Sequence, residues 1–184
     1  MTPILADAGV PMLMLVFPAA FFLLIPIVAI ETWVARRVES VSAKRRFIGV
    51  LTANAVSTIV GWPLTWLILA LLQLFVIPGG NSGDFHFPPP FDTVATVTLG
   101  AAWLPPDESN LHWMIPTAAM VLLIPAFFVS VFTEGLVLRF FWREVVPKER
   151  RSFAWIANFA SYGLLYVAGI CLLLYSITHF HKQP

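Results

Sequence analysis

The sequence predicts an all-α membrane protein: a four-helix transmembrane bundle made of two tandem helical hairpins related by a pseudo-two-fold axis along the membrane normal. Three observations predict it. The 184 residues are 59% hydrophobic and only 11% charged, with a mean hydropathy of +0.83, outside the range of soluble domains. Four apolar stretches each reach the ~20 residues that a helix needs to cross a hydrocarbon core of about 30 Å. Polar residues recur in the same order in the two halves of the chain.

The first stretch runs from Pro11 to Ala35. No lysine or arginine precedes it, so it lacks the basic flank of a cleavable signal and is expected to remain attached, inserted with its N-terminus outside. The second stretch, Phe47 to Ile77, follows a loop carrying Arg36, Arg37, Lys44, Arg45 and Arg46. The third, Trp113 to Phe141, and the fourth, Phe153 to His179, enclose Arg139, Arg143, Lys148, Arg150 and Arg151. Every lysine and arginine except Lys182 thus falls in two connections on one side. The connection 78–112 has none and carries Asp84, Asp92, Asp107 and Glu108. The positive-inside rule therefore predicts cytoplasmic basic loops, with both termini and the 78–112 loop outside. Trp33, Trp142 and Trp155 flank the basic loops, and Trp103 and Trp113 flank the far end, as an interfacial aromatic belt would. A plasma membrane of bacterial inner-membrane type suits the short loops.

The expected organisation is one transmembrane domain over 1–184: a first hairpin (1–77), an outer loop (78–112) and a second hairpin (113–184). Pro78, Gly79, Gly80, Gly83, Pro88, Pro89, Pro90, Pro105 and Pro106 break the loop, while Thr93 to Leu99 alternates in a strand-like way. Phe85, Phe87 and Phe91 are read there as lipid-surface contacts.

Each hairpin presents a glutamate late in its first helix, an arginine five residues on, a double arginine, and then Ala-Asn-x-x-Ser. These are Glu31, Arg36, Arg45 with Arg46, Ala53, Asn54 and Ser57 in one half. In the other they are Glu134, Arg139, Arg150 with Arg151, Ala157, Asn158 and Ser161. Glutamate and asparagine are 23 residues apart in one and 24 in the other. The tetrapeptide Leu-Leu-Ile-Pro also recurs, ending at Pro26 and Pro125, though its register to the glutamate differs by one turn. At the helical rise, each glutamate lies roughly 7–8 Å from its following arginine and each asparagine about 10–12 Å past the double arginine. All four reach one layer. A carboxyl group in hydrocarbon is costly, so each glutamate should face the bundle interior, with the neighbouring asparagine as its partner. The arginine five positions on sits ~140° around the helix and can snorkel to headgroups.

The second helix also carries Gly49, Ala53, Ser57, Gly61 and Thr65 at four-residue spacing, a row of small side chains that lets another helix approach closely. The fourth repeats it in part, with Ala157, Ser161 and Gly169 interrupted by Leu165. Cys171 is assigned to packing, and the prolines within the helices to static kinks. His179 and His181 alone are weak evidence for a metal site.

Several function classes find no support. A net charge of +1 gives no reason to expect nucleic acid as a partner, and no catalytic or cofactor-binding motif stands in the chain. The expectation is a non-enzymatic protein without cofactor, in contact with membrane lipids and with partner subunits or further copies of itself. Its leading role is that of an accessory, assembly or scaffold subunit, with Glu31, Asn54, Ser57, Glu134, Asn158 and Ser161 as a polar clasp fixing helix register. The alternative is a small proton- or cation-coupled transporter or channel using the two glutamates.

Overall fold

The computed structural model describes residues 10–76, 101, 103–104 and 111–180. They form an all-α bundle of four helices: α1 (Met12–Val34), α2 (Ala43–Val76), α3 (Leu111–Phe141) and α4 (Pro147–Phe180). Three of them are long and apolar enough to cross a membrane, over Ala43–Gln73, His112–Phe141 and Pro147–His179. Lipid offers no hydrogen-bond partners, so a chain this apolar satisfies its backbone inside helices. A two-residue antiparallel pair, β1 (Val10–Pro11) with β2 (Trp103–Leu104), ties the start of α1 to the chain ahead of α3. Of the outer loop, residues 78–100, with Thr93–Leu99 and the three phenylalanines, lie outside the described residues, as does His181.

The helices stand in cyclic order. α2 packs on α3 and α3 on α4 over their lengths, α1 lies between α2 and α4, and the diagonal pairs barely touch. Two apolar clusters sit at opposite ends of the interior. Near the basic loops, Val34, Ala35, Val38, Val41, Val50, Leu138, Trp142, Val145 and Phe153 close the bundle. Toward the far end, Leu69, Ala101, Ala118 and Leu122 pack together.

α2 and α4 begin earlier than hydropathy predicts, at Ala43 and Pro147 instead of Phe47 and Phe153. The limit of an apolar stretch marks where lipid ends, whereas a helix continues into water for as long as its first turn is satisfied. Proline at the first helical position of α4 suits that role, because its missing N–H has no intrahelical acceptor to lose.

The basic connections are correspondingly tight, and arginines close them. After α1, a 3₁₀ turn (Ala35–Arg37) leads to Val38 and Val41, both buried. Arg46 donates to the carbonyls of Arg36 and Val38, each at 3.1 Å. After α3, Trp142 and Val145 are buried, and Arg150 reaches the carbonyls of Trp142 and Val145, each at 3.4 Å. In each case a guanidinium from the next helix serves carbonyls at or just beyond the preceding helix end. Arg45 crosses between hairpins: it donates to the carbonyl of Phe141 at 2.7 Å and pairs with Glu144.

Three sequence readings are corrected. Trp142 is fully buried, not part of an interfacial belt, although Trp33 and Trp155 are exposed. Cys171 is exposed on the apolar surface of α4 and packs in no core. The double arginines do not correspond one to one. Arg46 matches Arg150 by its role at the turn, and the same spacing along the chain pairs Val38 with Trp142, Val41 with Val145, Asn54 with Asn158 and Ser57 with Ser161.

Candidate functional site

Four helices meet at one buried polar layer. Glu31 stands one turn before the end of α1 and Glu134 two turns before the end of α3, each on the face turned inward. Asn54 and Ser57 are one turn apart on α2, and Asn158 and Ser161 one turn apart on α4, so each pair shares a helix face. Both glutamates are 1% exposed, and the asparagines and serines are buried beside them.

The contacts of the two halves match atom for atom. Asn54 Nδ2 donates to Glu31 Oε2 at 2.6 Å and to the carbonyl of Val50 at 3.0 Å. Asn158 Nδ2 donates to Glu134 Oε2 at 2.7 Å and to the carbonyl of Ala154 at 3.0 Å. The orientation of both amides follows, because a backbone carbonyl only accepts and the atom facing it must be the nitrogen. The serines cross over. Ser57 Oγ meets Glu134 Oε1 at 3.0 Å, and Ser161 Oγ meets Glu31 Oε1 at 2.8 Å. Each carboxyl group is therefore held by the amide of its own hairpin and the hydroxyl of the other.

The hydroxyls carry a further constraint. Ser57 Oγ lies 3.1 Å from the carbonyl of Asn54, and Ser161 Oγ lies 3.2 Å from that of Asn158. One hydroxyl has one proton and here faces two oxygens. When the serine donates to the backbone carbonyl, its contact with the glutamate needs the proton to come from the carboxyl group. The layer thus has a hydrogen-bond arrangement for the neutral acid as well as for the carboxylate. Neutral acids are far cheaper to hold away from water.

A cavity of about 40 Å³ adjoins this layer on the side away from the basic loops, lined by Glu134, Ser57, Thr58, Trp62, Ser130 and Tyr162 among others. It exceeds the volume a single water occupies. Ser130 Oγ and Tyr162 OH are 2.8 Å apart on its wall. Sequence reasoning passed over these two residues. Their signal was positional: Ser130 lies one turn before Glu134, and Tyr162 one turn after Asn158. Beyond them Leu123 and Leu165 line the cavity.

The row Gly49, Ala53, Ser57, Gly61 and Thr65 is buried throughout and faces α3. A Cβ at Gly49 would come within 2.8 Å of Trp142 Nε1, whereas at Gly61 it would meet Val129 at 3.6 Å, ordinary contact. The close approach is therefore at Gly49. Among the described residues no group of three histidine, cysteine or acidic side chains gathers at one point, and His179 stacks on Tyr175 with ring centroids 4.0 Å apart. No family model matches the chain, and no curated protein or solved structure matches it.

Proposed function

We propose that this is a non-enzymatic, multi-pass membrane protein that serves as an accessory, assembly or scaffold subunit, with α1 as a fourth span and the basic loops in the cytoplasm. Its two hairpins are a duplicated unit, and the buried polar layer is the clasp that fixes how they pair. The observation that carries this reading is the exchange of serines: each hairpin lends its hydroxyl to the carboxyl group of the other. Apolar helices gain little hydrophobic energy from one another in lipid, so polar contacts and close packing decide which faces meet. Any other rotation of a helix leaves a carboxyl, amide or hydroxyl group against hydrocarbon, a cost of several kcal/mol by general transfer energies. The result is a rigid apolar body with little mass outside the membrane, suited to holding neighbours in place. Affinity purification from the native membrane in mild detergent tests it, with the retained proteins identified by mass spectrometry. A defined partner at fixed stoichiometry is expected; a chain recovered alone or only with copies of itself overturns the accessory role.

One observation favours a second reading, a proton- or cation-coupled transporter. The cavity beside Glu134, together with the arrangement for a neutral acid, gives the layer the elements of a proton-holding site. Purified protein carrying Glu31→Gln and Glu134→Gln, reconstituted in liposomes, discriminates. Ion-driven flux in the natural chain that vanishes in the double variant establishes the transporter; no flux in either removes it.

A further inference from the structure

On the outer surface of the second hairpin, a groove of about 570 Å³ lies between α3 and α4 at the basic end of the bundle. Arg139, Arg150 and Arg151 stand at its mouth, and Phe128, Phe132 and Trp155 form its walls. No acidic residue lines it. Past the rings of Phe127 and Phe128, which meet Trp155 at centroid distances of 5.5 and 6.3 Å, the same two helices bound a second, almost wholly apolar pocket of about 320 Å³ that shares Phe128 with the groove and reaches Phe159 and Gly163. One glycine lies in each cavity, Gly135 in the groove and Gly163 in the apolar pocket. A Cβ built at Gly135 or Gly163 meets nothing within 4 Å, so neither residue is small in order to admit a neighbouring helix.

The arginines differ in what they do, within the first hairpin as well as between the two: Arg36 and Arg37 are exposed and make no side-chain hydrogen bond or ion pair with a described residue. Arg45 and Arg46 are engaged by Glu144 and by backbone carbonyls. Arg139 and Arg151 are exposed and make no hydrogen bond or ion pair with a described residue, and Arg150 makes only the two 3.4 Å contacts with the turn. Three cations therefore face one groove without an ion-pair partner among the described residues. From Arg151 to Gly163 the helix rises about 18 Å, close to the roughly 15 Å depth of one leaflet's hydrocarbon.

We propose that the α3–α4 groove binds one anionic phospholipid of the adjoining leaflet. Its phosphate is held by Arg139, Arg150 and Arg151, and one acyl chain lies over Gly135 toward Gly163. Guanidinium groups match phosphate oxygens in geometry as well as charge, and a basic pocket between membrane helices is a recurrent headgroup site. Both ends of the groove then have a chemical match: cations at the headgroup level and an aromatic-walled apolar channel below. The site is independent of whether the buried clasp has a transport role.

Native mass spectrometry of the full chain, released from detergent containing phosphatidylglycerol or phosphatidylcholine, tests this. The natural chain is expected to retain a single phosphatidylglycerol and to prefer it to phosphatidylcholine. Arg139→Gln with Arg151→Gln should weaken retention about twenty-five-fold, at about fivefold for each arginine. Gly135→Leu should block the acyl chain and lower retention of the lipid while leaving the arginines in place. Gly135→Ala, whose methyl group enters open space, controls for folding. Arg36→Gln with Arg37→Gln removes equal charge from the other hairpin and should leave retention unchanged. Equal retention of the two lipids, equal loss in the two arginine pairs, or displacement by millimolar inorganic phosphate would each overturn the proposal. The first would indicate annular lipid, the second unspecific charge attraction, and the third an anion site without a lipid.

Discussion

The α2–α3 seam and the α4–α1 seam take corresponding places in the bundle, yet only the polar layer is alike in both. There, Asn54 with Ser57 and Asn158 with Ser161 make matching contacts to the two glutamates. On either side of that layer the seams part. At the basic end, α2–α3 is filled by Trp142 set against Gly49, while the corresponding positions of the other seam hold Val38 and Phe153. A large residue and a small one have exchanged helices. One seam is closed as a result, and the other leaves a groove of about 480 Å³ between Val34, Arg37 and Val38 of the first hairpin and Lys148, Ser152 and Phe153 of the second. Toward the far end, Gly61 on α2 answers to Leu165 on α4, and α1 packs on α4 less extensively than α2 on α3. Polar groups that need partners in lipid restrict drift, although Asn158 Oδ1 and Thr65 Oγ1 are buried without one among the described residues, whereas apolar packing is met by many combinations of similar volume.

The comparison breaks most visibly at Trp142. Trp142→Ala should lower stability by about 3–5 kcal/mol, the range for a buried aromatic truncation, while Val38→Ala at the matching position should cost clearly less. Thermal unfolding in mild detergent, followed by size-exclusion chromatography, reads both; equal losses would mean that the seams are packed alike. Next in size are the asparagines. Asn54→Ala and Asn158→Ala each leave a buried carboxyl group short of a donor and should cost about 1–3 kcal/mol, by matching amounts. A large difference between them in the same melting assay would show that the layer is symmetric in position only.

Gly49→Ala should destabilise by about 1–3 kcal/mol, since its new methyl group meets the buried indole of Trp142. Gly61→Ala should be within about 0.5 kcal/mol of the natural chain, because its methyl group finds ordinary contact distance. Reversal of that order would return the close approach of helices to the middle of the row. The smallest effect belongs to Glu31→Gln with Glu134→Gln. The carboxamide oxygen still accepts from asparagine and its N–H₂ can donate to serine, so expression and elution volume should be nearly unchanged. Aggregation of the double variant would show that the layer depends on the acid itself.

Much of this was legible from residue order. The apolar stretches located the helices, and equal helical rise placed Glu31, Asn54, Glu134 and Asn158 in one layer. The crossing of Ser57 and Ser161 was not legible, because it depends on which hairpin faces which, and spacing within one hairpin carries no such information. Hydropathy misjudged the starts of α2 and α4, since charged side chains end an apolar stretch without ending a helix. It placed Trp142 at an interface because tryptophan beside a basic loop belongs there on average, and the glycine that receives it lies far away in sequence at Gly49. Cys171 shows the opposite error: an apolar neighbourhood in sequence becomes a lipid-facing surface when its side of the helix has no neighbour.

The exchange of serines also has a consequence for the order of synthesis. If α1 and α2 enter the bilayer as a hairpin, as proposed above, then while the second hairpin is still unmade Glu31 has Asn54 but lacks its hydroxyl donor, and Ser57 has no carboxyl group to meet. The early hairpin is complete in its helices and incomplete in its polar contacts, so its inner face is most costly in the interval before the second hairpin inserts. That cost ends when the second hairpin supplies Ser161 and Glu134. A second copy of the first hairpin carries the same glutamate, asparagine and serine, and two such copies have the donors and acceptors to build the whole layer between them.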